Sequence, residues 1–491
     1  MRDGVSETTK TRRSILAGVE AMVKKRAKNL AKRKKVQKES NIRTDVWQLA
    51  MTQEQRQLAI LTVAEYRHFL KPLVLIGYWN WEKLSQLTSK ERVNTLEKLV
   101  HKTTDNPSPK YYWYFQKAIG NHPSFRKFPS YLRRAAIQDA LGIISSFVTR
   151  WDTWKRGERK HRYDKPPKLT SMCNSYPALY KGQQVKYHSN FTCVELKIWN
   201  GTDWVWMESI PVRKHGKSRH TREGAKLLSP SFIANKRSVH LSMPVEIKSQ
   251  PLPDSDYVCA IDIGINTTAT CSIVGKDGTV KARKFLNPAR DIDRRDQRKQ
   301  RIATKSKLTR RITNQDLPKG FCQGLYRKSK NINKHITQTV SRQIIEFARN
   351  HNVNVIVFED LSNWKAKGGK HGSLQKQRFH QWCKDKLVEL TIQKFSELGG
   401  HVSKVNAKYT SAYAFDGSGE IKRSNKKYSQ AIFQNRKRYN ADLSASYNIG
   451  ARYWYAILTN SKFTRVWEGK SSSQTLRTPV TLSTLWGLSK A

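Results

Sequence analysis

The sequence has few acidic residues, few cysteines and no long apolar run. Its 491 residues include 38 Asp and Glu, and six cysteines, no two of them in a C-x-x-C arrangement. Scattered cysteines predict neither a disulfide framework nor a cysteine zinc site, but reduced structural thiols in an intracellular protein. Because no apolar stretch reaches the roughly eighteen residues of a membrane helix, we expect no membrane span.

Positive charge is what the chain has in excess. Lys and Arg number 92, so the formal net charge is +54. Self-repulsion on this scale calls for a polyanionic partner, and charge spread along the whole chain indicates long nucleic-acid tracts. Charge alone leaves open a protein that only coats RNA or DNA. The length predicts two to four domains, and an apolar content of 37% is enough to build their cores.

Three basic segments are the predicted nucleic-acid contacts. Residues 1–41 form an arm that is either a disordered tail or a segment that orders on nucleic acid. Residues 290–311 predict a basic helix that follows phosphates, and residues 407–438 a basic loop. The candidate contacts are Lys24, Lys25, Arg26, Lys34, Lys35, Arg294, Arg295, Arg298, Arg301, Arg310, Arg311, Lys422, Arg423, Arg436 and Arg438.

The first half of the chain changes its periodicity twice. Residues 42–50 alternate like a strand, and residues 51–160 are mainly helical, starting at a Thr52–Gln55 capping box. Residues 161–250 carry short alternating strands, which predict a small β-barrel that also takes in the strand at 42–50. The aromatic cluster Tyr111–Phe115 fits either helix packing or base stacking.

Three acids in the second half occupy similar positions. The apolar run 257–262 ends in Asp262, and the run 353–360 carries Glu359 at its end, within a β-α-β pattern typical of parallel strands. Asp442 opens an apolar helix over 443–458, where either it or Asn440 could be the cap.

Acids in such buried settings point to metal chemistry. Clustered ionised carboxylates repel one another unless cations lie between them. With no His or Cys at ligand spacing, their oxygens favour Mg²⁺ or Mn²⁺. Two ions about 3.5–4 Å apart would activate a water and stabilise the leaving oxygen of a phosphodiester. Asp262, Glu359 and Asp442 are therefore the predicted catalytic and metal-binding residues.

Four runs carry a family resemblance: A-I-D-I-G-I-N-T-T-A-T (260–270), F-E-D-L (358–361), K-Y-T-S (408–411) and Y-N-A-D-L-S-A-S-Y-N-I-G-A-R-Y (439–453). With them the chain resembles the transposon-encoded TnpB nucleases and the compact type V CRISPR effectors, over residues 42–453 and most specifically from 257 onward. The resemblance implies that Asp262, Glu359 and Asp442 are the metal-binding acids of one RuvC-like site. It also implies an RNA-guided DNA endonuclease.

The resemblance assigns domains along the chain. The implied fold class is multidomain α+β and α/β, with a small wedge-like β-barrel and an inserted helical recognition domain. A RuvC/RNase H-like mixed sheet flanked by helices follows. The expected divisions are the arm (1–41), the barrel (42–50 and 161–250), the recognition helices (51–160), the nuclease domain (257–406), the target-nucleic-acid-binding loop (407–438), the third-motif helix (439–458) and the tail (459–491).

The chain departs from the family at one place. Members usually carry a four-cysteine zinc ribbon before the third motif, whereas residues 407–438 contain no cysteine. We therefore expect a loop without zinc, held by packing of Tyr413, Phe415 and Phe433. This departure leaves two functions open, an endonuclease or an RNA-guided DNA-binding protein with weak or no cleavage in a transposon or repressive role.

The expected partners follow from the same resemblance. They are a guide RNA, a target double-stranded DNA with its displaced strand, and a pair of Mg²⁺ or Mn²⁺ ions, in a prokaryotic cytoplasm. A transposase would also use three acids, but no dedicated end-binding domain is identified in the sequence. The origin of the guide, the flanking DNA motif, the cut pattern and the oligomeric state stay open.

Overall fold

The computed structural model describes residues 40–489, apart from 121–126, 159–164, 170–173, 189, 216–218, 237, 266, 362–382, 424–428 and 460–478. The chain divides into two compact units. One comprises the described residues of Ile42–Lys248, and the other comprises those of Ser249–Ala491 together with Ser40 and Asn41.

The helices of the first unit are α1 (Gln53–Trp79), α2 (Trp81–Gln86), α3 (Ser89–Val100), α4 (Tyr112–Ile119) and α5 (Ser130–Lys155). The predicted capping box is confirmed: the Thr52 hydroxyl accepts from the Gln55 amide, and the Gln55 side chain accepts from the Thr52 amide. Helices α1 and α5 pack together, and the Tyr66 hydroxyl donates to Asp139 across them at 2.8 Å. Helical periodicity over 51–160 therefore predicts the core of this unit correctly.

The strands of the first unit are β1 (Ser40–Leu49), β2 (Val185–Tyr187), β3 (Cys193–Trp199), β4 (Trp204–His215), β5 (Lys226–Leu227), β6 (Ser231–Ala234) and β7 (Val239–Lys248). They form one seven-stranded sheet in the order β2-β3-β4-β1-β7-β5, with β6 also paired to β7. Strand β1 lies inside this sheet between β4 and β7, so the predicted joining of the first strand to the later ones is confirmed. Along β7 every second residue is buried, as a sheet with one covered face requires.

The strands of the second unit's main sheet are β8 (Tyr257–Asp262), β9 (Ala269–Gly275), β10 (Val280–Leu286), β11 (Val355–Asp360) and β12 (His401–Asn406). Their order is β10-β9-β8-β11-β12. Strands β8, β9 and β10 pair antiparallel, as the predicted meander requires, and β8, β11 and β12 pair parallel. The predicted mixed sheet is confirmed.

Helices cover both faces of this sheet. They are α6 (Ala289–Thr313), α7 (Gln323–Asn350), α8 (Lys384–Ser396), α9 (Ala441–Leu458) and α10 (Leu482–Leu488). Cys259 and Ile261 of β8 face a core that includes residues of α7 and α8, while Val258 and Ala260 face α9 and α10. The continuous apolar run of β8 is thus explained by burial on both faces. The fold class predicted from the sequence, multidomain with mixed sheets and flanking helices, is confirmed.

Helix α7 begins at Gln323, although its first turns bury almost no apolar side chain and so carry no periodic signal in the sequence. The predicted basic helix over 290–311 is confirmed as α6.

The end of the described chain docks onto the second unit, as expected for 482–488. Leu482 and Leu485 are buried, and the indole nitrogen of Trp486 donates to the Gly278 carbonyl at 3.1 Å. Between β12 and α9 runs a small three-stranded sheet of β13 (Lys422–Arg423), β14 (Gln430–Ile432) and β15 (Arg438–Asn440). None of the described helices combines the length and the apolar character that crossing a membrane would require.

Candidate active site

Parallel pairing brings the first two acids to one edge of the sheet. Asp262 is the last residue of β8, and Glu359 lies at the end of β11. The register pairs Ile261 with Phe358, so the two acids occupy the next position on neighbouring strands. Because parallel strands run in the same direction, their carboxyl ends meet at the same edge.

Helix α9 supplies the third acid. Its cap is Asn440, whose side-chain oxygen accepts from the amides of Asp442 and Leu443 at 3.0 and 2.9 Å. The Asp442 carboxylate is therefore not needed as the cap, which resolves the alternative that the sequence leaves open. The helix lies close against β9, since a Cβ at Gly450 would stand 2.7 Å from the Val274 side chain.

Two of the three carboxyl groups act on the protonation of the third, Asp262. Desolvation raises the pKa of Asp262 well above its ordinary value, and the negative charges of Glu359 and Asp442 raise it further. Desolvation also raises the pKa of Asp442, while the positive charge of Arg423 opposes the rise at both aspartates. Acids from three distant segments thus lie close enough to interact electrostatically in one partly desolvated place.

Glu359 is held by two groups to which the sequence assigns no role. Burial raises the pKa of its carboxyl, whereas a hydrogen bond from the Thr410 hydroxyl and the charge of Arg452 lower it. Desolvation lowers the pKa of the Arg452 guanidinium to about 10, and the negative charge of Glu359 opposes that change. Its Nη1 also donates to the Asn406 carbonyl at 2.6 Å.

Asn448 is a further residue without a predicted role. It is fully buried in α9, and its amide nitrogen donates to the carbonyls of Thr410 and Tyr413 at 3.0 and 2.9 Å. Its side-chain oxygen accepts from the Leu482 amide at 3.3 Å. Asn448 therefore connects two segments, the loop that contains Thr410 and the first residue of α10. Thr410 and Asn448 lie in the runs 408–411 and 439–453, but only the fold shows which groups their side chains contact.

The donor chemistry of the site fits a hard divalent cation. A bound cation would relieve the repulsion that Glu359 and Asp442 exert on Asp262, and carboxylate oxygens suit Mg²⁺. Within the residues that the structure describes, however, no group of three or more His, Cys, Asp or Glu is placed so that it could hold a metal ion. The acids interact through their charges, and their use as metal ligands remains a proposal.

The predicted phosphate contacts of α6 differ in how far their side chains are exposed. Arg294, Arg301, Arg310 and Arg311 are exposed, and Arg298 is half-buried. Arg295 is only 6% exposed. Its Nε donates to Asp296 at 2.9 Å and its Nη1 to Asn333 of α7 at 3.1 Å.

The Arg295 side chain thus faces α7 rather than solvent, and its contact with nucleic acid stays an untested prediction. A helix that packs on a neighbour must turn some positions inward, and at this position the inward group is an arginine that pairs with a buried acid. A count of positive charge along the segment cannot distinguish the two faces.

The remaining predicted contacts lie in the loop and in the arm. Lys422, Arg436 and Arg438 are exposed, while Arg423 is half-buried and acts on the pKa of Asp262. The other predicted contacts, Lys24, Lys25, Arg26, Lys34 and Lys35, lie outside the described residues.

Aromatic packing supports the loop, as expected. The rings of Phe415 and Phe433 are 5.6 Å apart, and Phe415 also contacts Tyr447 of α9 at 5.3 Å. The Tyr413 ring packs edge-on against Tyr409 at 5.7 Å, and its hydroxyl donates to Glu420 at 3.2 Å. The cysteines at 193, 259, 271, 322 and 383 are free thiols.

Comparisons with known proteins give the following. A model of the Aq_aa04 family matches residues 43–200, which include none of the three acids. Curated proteins give no match. Among solved structures, a Cas12f1–sgRNA–target DNA complex is 14% identical over 80% of this chain and 81% of that chain, with a TM-score of 0.48.

Two further solved structures are similar at lower scores. The mini-RNA-guided endonuclease CRISPR-Cas_phi3 is 10% identical over 84% of this chain and 92% of that chain, with a TM-score of 0.44. The C2c1 protein of Alicyclobacillus acidoterrestris with single-guide RNA is 12% identical over 81% of this chain and 69% of that chain, with a TM-score of 0.38. Since every score is below 0.5, the description of the fold rests on the strand order itself.

Proposed function

We propose that this protein is an RNA-guided DNA endonuclease with a single RuvC-like site at Asp262, Glu359 and Asp442. The observation that carries the proposal is that Glu359 and Asp442, which come from distant segments, raise the pKa of Asp262, while parallel register places Glu359 on the strand next to it. A chain of net charge +54 is suited to binding long nucleic acids. In such an enzyme the guide RNA reads the target by base pairing, and the protein contacts backbone and shape.

The three acids would hold Mg²⁺ in the reaction. A bound pair of ions supplies activation of the attacking water and stabilisation of the leaving oxygen. The chain's own residues prepare the site. Thr410 orients the Glu359 carboxylate through its hydroxyl, and Arg423 places positive charge beside the aspartates, where the phosphate of the scissile bond would lie.

The exposed arginines of α6 would bind the nucleic-acid backbone. Arg294 and Arg301, seven residues apart, are exposed on one side of this long helix, and Arg310 and Arg311 are exposed near its C-terminal end, so each pair offers phosphate contacts. The buried Arg295 has a structural part in this arrangement, because its bond to Asn333 joins α6 to α7, while its pair with Asp296 lies within α6.

The test begins with the RNA that copurifies with the protein. Sequencing this RNA identifies the guide segment, from which a matching DNA duplex is made with random flanking sequence. We expect Mg²⁺-dependent cutting by the wild type, none by Asp262→Ala, and equal RNA binding by both. The control is Asp256→Ala, which removes an exposed acid of the same unit and should leave cutting unchanged. Retained cutting by Asp262→Ala would refute the site.

A second candidate is RNA-guided DNA binding with weak or no cleavage, in a transposon-associated or repressive role. It is favoured by the absence, among the described residues, of three ligands placed to hold a metal ion. The same assay separates the two functions. Tight binding of the matched duplex by the wild type, without cutting in Mg²⁺ or in Mn²⁺, would support binding alone.

A further inference from the structure

Exposed aromatic rings gather where the end of α1 meets α4 in the first unit. The exposed fractions of Trp79, Trp113 and Tyr114 are 52%, 81% and 40%. The Trp79 and Tyr114 rings are 5.0 Å apart, and Trp113 contacts Tyr112 at 5.2 Å. We call Trp79, Trp113 and Tyr114 the aromatic face. Large apolar groups left in contact with water in one place commonly mark a binding surface.

The helix that presents the aromatic face is firmly anchored. Phe115 and Ile119, on the opposite side of α4, are 4% and 1% exposed. The Phe115 ring packs edge-on against Phe69 of α1 at 5.1 Å, and the Tyr111 amide donates to the Leu99 carbonyl at 2.9 Å. The exposed rings therefore stand on a rigid support, which lowers the entropy lost when a ligand binds.

The charge around the aromatic face favours an anionic ligand. Residues 78–119 carry seven Lys and Arg against four Asp and Glu. Lys110 and Lys117 are exposed near the two ends of α4, and the Lys110 ammonium lies 5.3 Å from the centre of the Tyr111 ring. A second copy of this chain would bring another charge of +54, so self-association through this surface is opposed by repulsion.

We propose that the aromatic face stacks the unpaired bases of a single-stranded nucleic acid, with Lys110 and Lys117 beside the phosphates. Aromatic rings accept any base, because every base has a π-face, and neighbouring cations hold the backbone. The sequence leaves open whether the aromatic cluster Tyr111–Phe115 serves helix packing or base stacking. On this proposal it serves both, because Phe115 packs in the core while the exposed rings of Trp113 and Tyr114 contact the ligand. The proposal requires no cleavage and holds whether or not the protein is a nuclease.

The experiment measures binding of two labelled ten-nucleotide strands to the RNA-free full-length protein. One strand is oligothymidine and the other is abasic, with the same phosphates. Stacking on an aromatic side chain contributes enough per base that its loss weakens binding roughly 5- to 150-fold. We expect Trp113→Ala to weaken oligothymidine binding at least fivefold and to leave the abasic strand unaffected. Trp113→Phe should retain most of the affinity.

The controls separate stacking from other causes. Ile42→Ala removes an exposed apolar side chain (58%) from β1 of the same unit and should change neither affinity. The slope of affinity against salt should be the same for wild type and Trp113→Ala, because no phosphate contact is removed. Equal loss on both strands, no loss on either, or a change of oligomeric state in Trp113→Ala would overturn the proposal.

Discussion

Replacing Asp262 by Asn should stabilise the metal-free protein. The Asp262 carboxyl is desolvated and lies near Glu359 and Asp442, and its pKa is raised by all three causes. At pH 8 this carboxyl is ionised in the unfolded chain, so folding must either bind a proton or bury a repelled charge. The uncharged amide of Asn avoids that cost, which at pH 8 is about 1.4 kcal/mol for each tenfold rise in the proton affinity of Asp262 on folding. Each kcal/mol moves the melting temperature of a unit of this size by about 2–4 °C.

The pH dependence has a definite sign. A carboxyl whose pKa is raised on folding keeps its proton longer than in the unfolded chain, so the wild type loses stability as pH rises above the ordinary carboxyl pKa. Below that pKa both states are protonated, and the advantage of Asp262→Asn should disappear near pH 4. Thermal unfolding of the RNA-free protein at pH 4 and pH 8, followed by circular dichroism, measures the difference.

A matched substitution has the opposite expectation. The pKa of Asp277 is lowered by hydrogen bonds from the hydroxyl and the amide of Thr279. Asp277→Asn should therefore cost stability at pH 8. If Asp262→Asn is also destabilising there, the three acids do not strain the fold and the reasoning fails.

Mg²⁺ adds an independent readout. An ion at 100 times its dissociation constant stabilises the folded state by about 2.7 kcal/mol. The melting temperature of the wild type should rise in Mg²⁺, whereas that of Asp262→Asn should rise much less. Equal increases would place the ions elsewhere.

Three further changes test neighbouring contacts. Thr410→Val removes the hydroxyl that lowers the pKa of Glu359, so the acid limb of the pH–rate profile for DNA cleavage should move to higher pH. Thr410→Ser keeps the hydroxyl and should not move it. Gly450→Ala places a Cβ 2.7 Å from Val274 and should lower the free energy of unfolding by about 1–3 kcal/mol, with partial recovery on adding Val274→Ala. Asn440→Ala removes the cap of α9 and should cost about 0.5–2 kcal/mol in chemical denaturation, while Asn440→Asp retains an acceptor and should cost less.

Local patterns in the sequence are enough to predict most of the elements. The apolar run before Asp262 and the similar run before Glu359 predict β8 and β11, because a buried strand needs an unbroken apolar stretch. Helical spacing predicts the helices of the first unit and α6, and the capping box at Thr52 marks the start of α1. The charge of +54 predicts a nucleic-acid partner without reference to the fold.

Only the tertiary structure decides which groups meet. The position of β11 beside β8, in parallel register, brings Glu359 to Asp262, and the packing of α9 adds Asp442. The inward turn of Arg295 depends on Asn333 of α7, and the hydrogen bond to Glu359 depends on Thr410 of a later loop. Such contacts depend on partners that lie far away in the chain, so periodicity and composition, which report on neighbours in sequence, carry no information about them.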